Sequence, residues 1–161
     1  MSANPPKTYL TQSELKQYAM TLLARREYGA NELRQKLARK GSAEDADAVL
    51  CWLQENNLQS DDRFAQMLLR SKSLRGYGPL RIRQEMKQKR LDNQAVLQAF
   101  EGFEGDWFEQ ALQTYQKKYS KPLGKEPKER AKRQRFMSYR GYTGEQICYA
   151  IEQGHKECTH F

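Results

Sequence analysis

The side chains best suited to chemistry in this sequence are cations at helical spacing. Arg83, Lys87 and Arg90 stand at i, i+4 and i+7. Lys128, Lys132 and Arg135 repeat that spacing, and Tyr139 follows one turn on. Residues so spaced share one face of a helix. A row of cations on one face cleaves nothing by itself. It can hold an anion, either a phosphate backbone or an acidic protein surface. Both rows lie in strongly basic segments. Residues 70–90 carry eight Lys and Arg against one Glu, and residues 117–140 carry ten against two. The whole chain is only +8, so the remainder is net acidic. One sign concentrated in this way repels itself unless an anionic partner offsets it, whereas a solvated face would intersperse Glu with Lys.

The candidate contact residues, taking in the corresponding upstream helix, are Arg34, Lys36, Arg75, Tyr77, Arg81, Arg83, Lys87, Arg90, Lys128, Lys132, Arg135 and Arg140. No Asn/Gln/Arg set is placed to read base edges in a major groove. Tyr77, Tyr139 and Tyr142 could stack on unpaired bases, although core or turn packing is the commoner use of a Tyr in a small helical unit. Gly76-Tyr77-Gly78 ahead of a helix could aim backbone N–H groups at a phosphate; a plain turn is the simpler reading.

Other chemistries have less to stand on. His155, Cys158 and His160 put three potential ligands in one short tail. Zinc takes about four in defined geometry, and no partner cluster exists elsewhere, so the tail reads as a loose end. With no other His in the chain, a Ser/His/Asp or Cys/His set would depend on that tail. Neither GxxxxGK[ST] nor GxGxxG occurs. No enzyme is indicated, and no metal or cofactor site. Cys51, Cys148 and Cys158 are an odd, widely spaced set, which is no disulfide framework and suits a reducing cytoplasm. Cys51 and Cys148 fall inside helical patterns, where small buried hydrophobes are expected.

These residues need elements to position them. Leu, Ile, Val and Phe together number 28 of 161, low enough with this charge to raise the question of disorder. Nine Tyr, five Met and two Trp add enough apolar surface for a modest core. Five Val and Ile in all argue against a β-rich fold. No apolar run approaches the ~20 residues of a membrane span, and Met1–Lys7 lacks the apolar stretch of a secretory signal.

Helices are readable from their caps and periodicity. Thr11 and Glu14 have capping-box spacing, and Leu15, Ala19, Leu22 and Leu23 mark one face. Leu33 and Leu37 mark a second helix closed by Gly41. Ser42 opens a third, with Ala46, Val49, Leu50 and Leu53 on its apolar side. The plan then repeats. Ser60 caps a helix facing inward through Phe64, Met67 and Leu68; Pro79 opens the next, with Ile82 and Met86; Asp92 caps a third, with Val96, Ala99 and Phe100. Asp106 opens a last group. Trp107, Ala111, Leu112, Tyr115 and Tyr119 make one face, a basic helix follows from about Glu126 to Tyr139, and Thr143 caps a helix carrying Ile147, Ala150 and Ile151. Arg26, Tyr28, Gly29, Leu33, Arg34, Leu37 and Lys40 recur 49 residues later as Arg75, Tyr77, Gly78, Ile82, Arg83, Met86 and Lys89. Arg140-Gly141 echoes Lys40-Gly41. The expectation is an all-α chain of three tandem three-helix, helix-turn-helix-like units in an elongated array, over residues 10–58, 59–104 and 105–153, with flexible ends at 1–9 and 154–161.

Tyr18 to Leu37 (YAMTLLARREYGANELRQKL), Asp61 to Ala65 (DDRFA) and Ser71 to Lys89 (SKSLRGYGPLRIRQEMKQK) resemble the RecX family, regulators of the bacterial RecA recombinase. Arg133 to Tyr142 (RQRFMSYRGY) is similar to that family's third-unit motif. The resemblance runs in order over roughly residues 10–153. It implies three tandem helical units without a cofactor. It also implies a cytoplasmic protein that binds RecA and its nucleoprotein filament, lies along the filament groove, and inhibits ATP hydrolysis, strand exchange and co-protease activity. Weak binding of single- or double-stranded DNA through the basic faces, no membrane and a monomer complete the expectation. Leu33, Leu37, Ile82 and Met86 then read as packing residues, and Arg34, Arg83 and Lys87 as contacts. The alternative is a general nucleic-acid-binding protein that acts by competing for DNA.

Overall fold

The structure is a computed structural model that describes residues 8–156. Residues 1–7 and the Cys158 and His160 of the tail lie outside the described residues. Among the described residues there are nine α-helices and no strand. They are α1 (Gln12–Leu23), α2 (Ala30–Lys40), α3 (Ala43–Glu55), α4 (Asp61–Leu74), α5 (Pro79–Gln88), α6 (Asn93–Glu101), α7 (Trp107–Lys118), α8 (Pro127–Arg140) and α9 (Gly144–Lys156).

Side chains satisfy the free N–H groups at most helix starts. Thr11 and Glu14 form the expected reciprocal box at α1. Ser42, Ser60, Asp92 and Asp106 cap α3, α4, α6 and α7. Thr143 and Gln146 form a second box at α9, at 3.3 and 3.0 Å. Each such cap is worth about 1 kcal/mol. The starts of α2 and α5 have no cap of their own, because Gly29 and Gly78 stand at those positions. Their N–H groups are taken by the next part of the chain. Asp61, at the start of α4, accepts from Ala30 N at 2.8 Å. The turn between α8 and α9 accepts from Gly78 N through Arg140 O at 2.7 Å, and from Leu80 N through Gly141 O at 2.9 Å.

The buried side chains form three separate cores. Leu15, Leu33, Leu37, Val49 and Leu53 close the first among α1–α3. Phe64, Leu69, Ile82 and Met86 anchor the second. Tyr115, Met137, Tyr142 and Ile151 anchor the third. Each fully buried side chain of this size contributes about 1.5–3 kcal/mol. In the second and third groups the first and third helices make the closest pair, which leaves α5 and α8 with one face open; in the first group α2 and α3 make the closest pair.

Three expectations change. Cys51 and Cys148 are exposed. Cys51 lies two residues past buried Val49, and so across the helix from it; Cys148 lies a 100° step from Ile147. Trp107 stacks on Phe103, centroids 4.4 Å apart, and packs in the second core rather than extending an α7 face in the third. Gly41 and Gly141 both end middle helices, but only Gly141 is left-handed, at φ 98°; Gly41 is extended.

Candidate partner-binding surface

Most of the candidate residues fall on two helix faces and one joint. On α5, Ile82 and Met86 are fully buried, which turns Arg83 and Lys87 outward. The Arg83 guanidinium lies 3.9 Å over the Phe100 ring, so α6 holds it in place. Arg90 does not continue this row. The α5 helix ends at Gln88, and Arg90 sits beyond it at φ 57°, a left-handed position that a non-glycine residue rarely occupies.

On α8 the row is complete. Lys128, Lys132, Arg135 and Tyr139 are all exposed, and none of the three cations has an ion-pair partner among the described residues. Tyr139 is 76 % exposed. Arg133, in the same helix, faces the other way. It donates to Tyr115 Oη at 2.8 Å, to Lys121 O at 3.1 Å and to Glu129 at 3.0 Å. Burial disfavours its charge, but the Tyr115 and Glu129 hydrogen bonds outweigh that and hold its pKa above the ordinary value. Arg133 therefore fastens α8 to α7 and to the linker between them. Sequence reasoning missed this role, although a signal existed: Arg133 lies one turn before core Met137.

The remaining candidates meet where the α4–α5 turn touches the α8–α9 turn. Arg81 lies between two rings, 4.4 Å from Tyr77 and 5.0 Å from Tyr139. Arg140 lies 5.0 Å from Tyr77 and 5.3 Å from Phe136. Cations and rings thus alternate from exposed Tyr139 through Arg81, Tyr77 and Arg140 to Phe136. Such contacts contribute about 0.5–2 kcal/mol each, more where water is excluded. Arg140 also donates to Arg75 O at 3.1 Å, and Arg81 to Tyr139 O at 3.3 Å. Tyr142 lies under this layer and donates to Gly76 O at 3.0 Å. Burial raises its phenol pKa, while the Thr114 hydrogen bond and the Arg140 charge oppose that shift.

The Gly-Tyr-Gly turn is no phosphate cradle. The Tyr77, Gly78 and Leu80 N–H groups donate to Lys72 O, Arg140 O and Gly141 O. A Cβ at Gly78 would fall inside 3.0 Å of the Gly141 carbonyl and the Tyr142 nitrogen, so glycine is required there for the two turns to touch. Beside the joint runs an open groove of about 810 Å³, lined by Lys72, Leu80, Arg81, Lys89 and Tyr139 among others.

Two candidates lie apart from this surface. Arg34 pairs with Asp47 at 2.7 Å, both about half exposed, a geometry worth no more than about 1 kcal/mol. Lys36 is half-buried on α2. Beyond them, Glu27–Arg63 at 3.1 Å and Gln59 to Tyr28 O at 3.1 Å tie the α1–α2 turn to α4. The Tyr-Gly pair recurs in sequence, but its first copy docks on a helix start and its second on a turn.

Models of the first, second and third three-helix domains of RecX match residues 16–53, 60–99 and 104–151. The chain belongs to the RecX family. A regulatory protein RecX from Vibrio parahaemolyticus is 42 % identical over 137 residues, covering 84 % of this chain and 88 % of that protein. One from Chromohalobacter salexigens is 40 % identical over 134 residues, covering 83 % and 88 %. In three dimensions the chain is similar to the crystal structure of RecX from Lactobacillus salivarius, with a TM-score of 0.72 at 16 % identity, covering 89 % of this chain and 96 % of that one. A second crystal structure of regulatory protein RecX gives a TM-score of 0.74 at 20 % identity, over 88 % of this chain and 73 % of that one. At those identities the structural matches speak for the fold. For a RecX-family chain, the fold leaves one face of α5 and one of α8 open, and both are basic here. No described helix is long and apolar enough to cross a membrane.

Proposed function

We propose that this chain binds the RecA recombinase and its nucleoprotein filament in the bacterial cytoplasm. It inhibits RecA's ATPase, strand exchange and co-protease activity through contact rather than catalysis. The observation that carries this reading is the cationic surface of α5 and α8, with Arg83, Lys87, Lys128, Lys132 and Arg135 exposed on either side of a tightly built joint. Cations that make no ion pair among the described residues suit phosphates and acidic protein surface together, as a filament of protein on DNA presents them. The joint keeps the two faces in a fixed relation, which lowers the ordering cost of a two-point contact.

The test is co-sedimentation with RecA filaments assembled on single-stranded DNA. Wild-type protein should pellet with the filament. Arg83→Ala/Lys87→Ala and Lys128→Ala/Lys132→Ala/Arg135→Ala should each pellet less while keeping full helical content. Unchanged pelleting by both variants would refute the assignment. Equal binding to naked DNA and to filaments would favour competition for DNA instead.

A further inference from the structure

Of the three tyrosines near the joint, two are already occupied. Tyr142 is 2 % exposed, with its hydroxyl bonded to Thr114 and Gly76. Tyr77 lies between the Arg81 and Arg140 guanidinium groups. Tyr139 is different: Arg81 backs one side of its ring, and the side chain is 76 % exposed in the last turn of a regular helix. A large aromatic ring left in water forgoes the stabilisation that burial would give it. This one is also held rather than free, because Arg81 is itself fixed by Tyr77 and by the Tyr139 carbonyl.

The ring continues a row of cations. Along α8 the steps from Lys128 to Lys132, to Arg135 and to Tyr139 are about 6, 4.5 and 6 Å at the helical rise of 1.5 Å per residue. A chain of phosphates running along this face would meet three cations and then a flat, pre-positioned ring. Duplex nucleic acid keeps its bases stacked and paired and offers that ring only backbone. A single strand can turn a base onto it. We propose that Tyr139 is a stacking platform for an unpaired base, so that the α8 face takes single-stranded nucleic acid in preference to duplex. This rests on the reading of α8 as part of the filament-contacting surface. It adds the residue that distinguishes one form of nucleic acid from the other.

The experiment is fluorescence anisotropy of the full chain with a labelled oligodeoxythymidylate and with a labelled duplex of equal length. Tyr139→Ala should weaken single-strand binding roughly 5- to 150-fold, the range that loss of one base–aromatic stack gives. It should leave duplex binding and its salt dependence unchanged. Tyr139→Phe should bind like wild type. A single strand of the same length carrying abasic sites should bind wild type as weakly as the intact strand binds Tyr139→Ala. Equal weakening of both forms, or no weakening of either, overturns the stacking role. So would loss of binding to RecA alone, without DNA, in Tyr139→Ala, because the ring would then be a protein contact. Lys128→Ala/Lys132→Ala/Arg135→Ala separates the two claims. If this variant binds both forms less tightly while Tyr139→Ala keeps the wild-type ratio, only the stacking role fails. If it binds both forms as wild type does, the contact reading of α8 fails with it.

Discussion

Gly78→Ala is the sharpest test of the joint that relates α5 to α8. The added methyl meets backbone on the α8–α9 turn, the Gly141 carbonyl and the Tyr142 nitrogen, inside 3.0 Å. Backbone cannot rotate aside as a side chain can, so the two turns must separate. Separation breaks the bonds from Gly78 N to Arg140 O at 2.7 Å and from Leu80 N to Gly141 O at 2.9 Å. Two hydrogen bonds at about 1 kcal/mol each, overpacking of about 1–3 kcal/mol, and a gain of about 0.4–1 kcal/mol from a stiffer unfolded chain leave a loss of about 2–5 kcal/mol. For a chain of this size that is a fall in melting temperature of about 4–20 °C. Hydrogen exchange locates the damage, because the Leu80 amide should lose its protection. Gly124→Ala is the control, since nothing lies within 4 Å of a Cβ there. Filament pelleting should fall in Gly78→Ala although every cation remains. Wild-type melting together with a protected Leu80 amide would mean that the two turns do not depend on this contact.

Two arginines of α8 should behave oppositely. Arg133→Ala, losing charge-assisted bonds to Tyr115, Lys121 and Glu129, should cost about 2–3 kcal/mol in urea unfolding; Arg135→Ala should stay within about 0.5 kcal/mol. Tyr142 is held above its ordinary pKa of 10.0, chiefly by burial. Its neutral form is therefore favoured in the folded state, and its contribution is complete below pH 10 and lost as pH rises through the folded value. Tyr142→Phe should be about 1 kcal/mol less stable at neutral pH yet decline less steeply in an alkaline unfolding series. Cys51 is exposed, but its hydrogen bond to Glu55, the Glu55 charge and slight burial raise its thiol pKa. It should react with a disulfide reagent in the native state more slowly than a free cysteine at the same pH, and Glu55→Gln should speed it.

The sequence made the helices legible because their starts are written in short-range code. Thr11, Ser42, Ser60, Asp92, Asp106 and Thr143 each cap the helix expected of them. Leu33, Leu37, Ile82 and Met86 are fully buried, as their spacing required. What escaped was whatever depends on distant partners. Arg133 and Arg135 are the same letter two positions apart, and only the tertiary position of α7 makes one a buried fastener and the other an open cation. Arg75, Arg81 and Arg140 read as surface contacts from charge alone, but Arg81 and Arg140 spend part of their donors on the joint, and the Arg75 carbonyl accepts one of them. Arg90 fits a helical row only if α5 continues, and the helix ends two residues earlier. Gly76-Tyr77-Gly78 was legible as a turn, with Gly76 left-handed at φ 85°, but not as a contact: Gly78 lets two backbones touch, and the partner turn is over sixty residues away.

If this surface acts on the RecA filament, its effect should be visible in the filament's own turnover. The most direct test is RecA's ATPase on single-stranded DNA, titrated with the chain at low and moderate salt. Inhibition is expected at amounts well below RecA and should persist at moderate salt, because a few bound molecules act on the filament itself. Inhibition only when the chain is abundant enough to coat the DNA, and lost as salt rises, would contradict action on the filament, as would no inhibition at all.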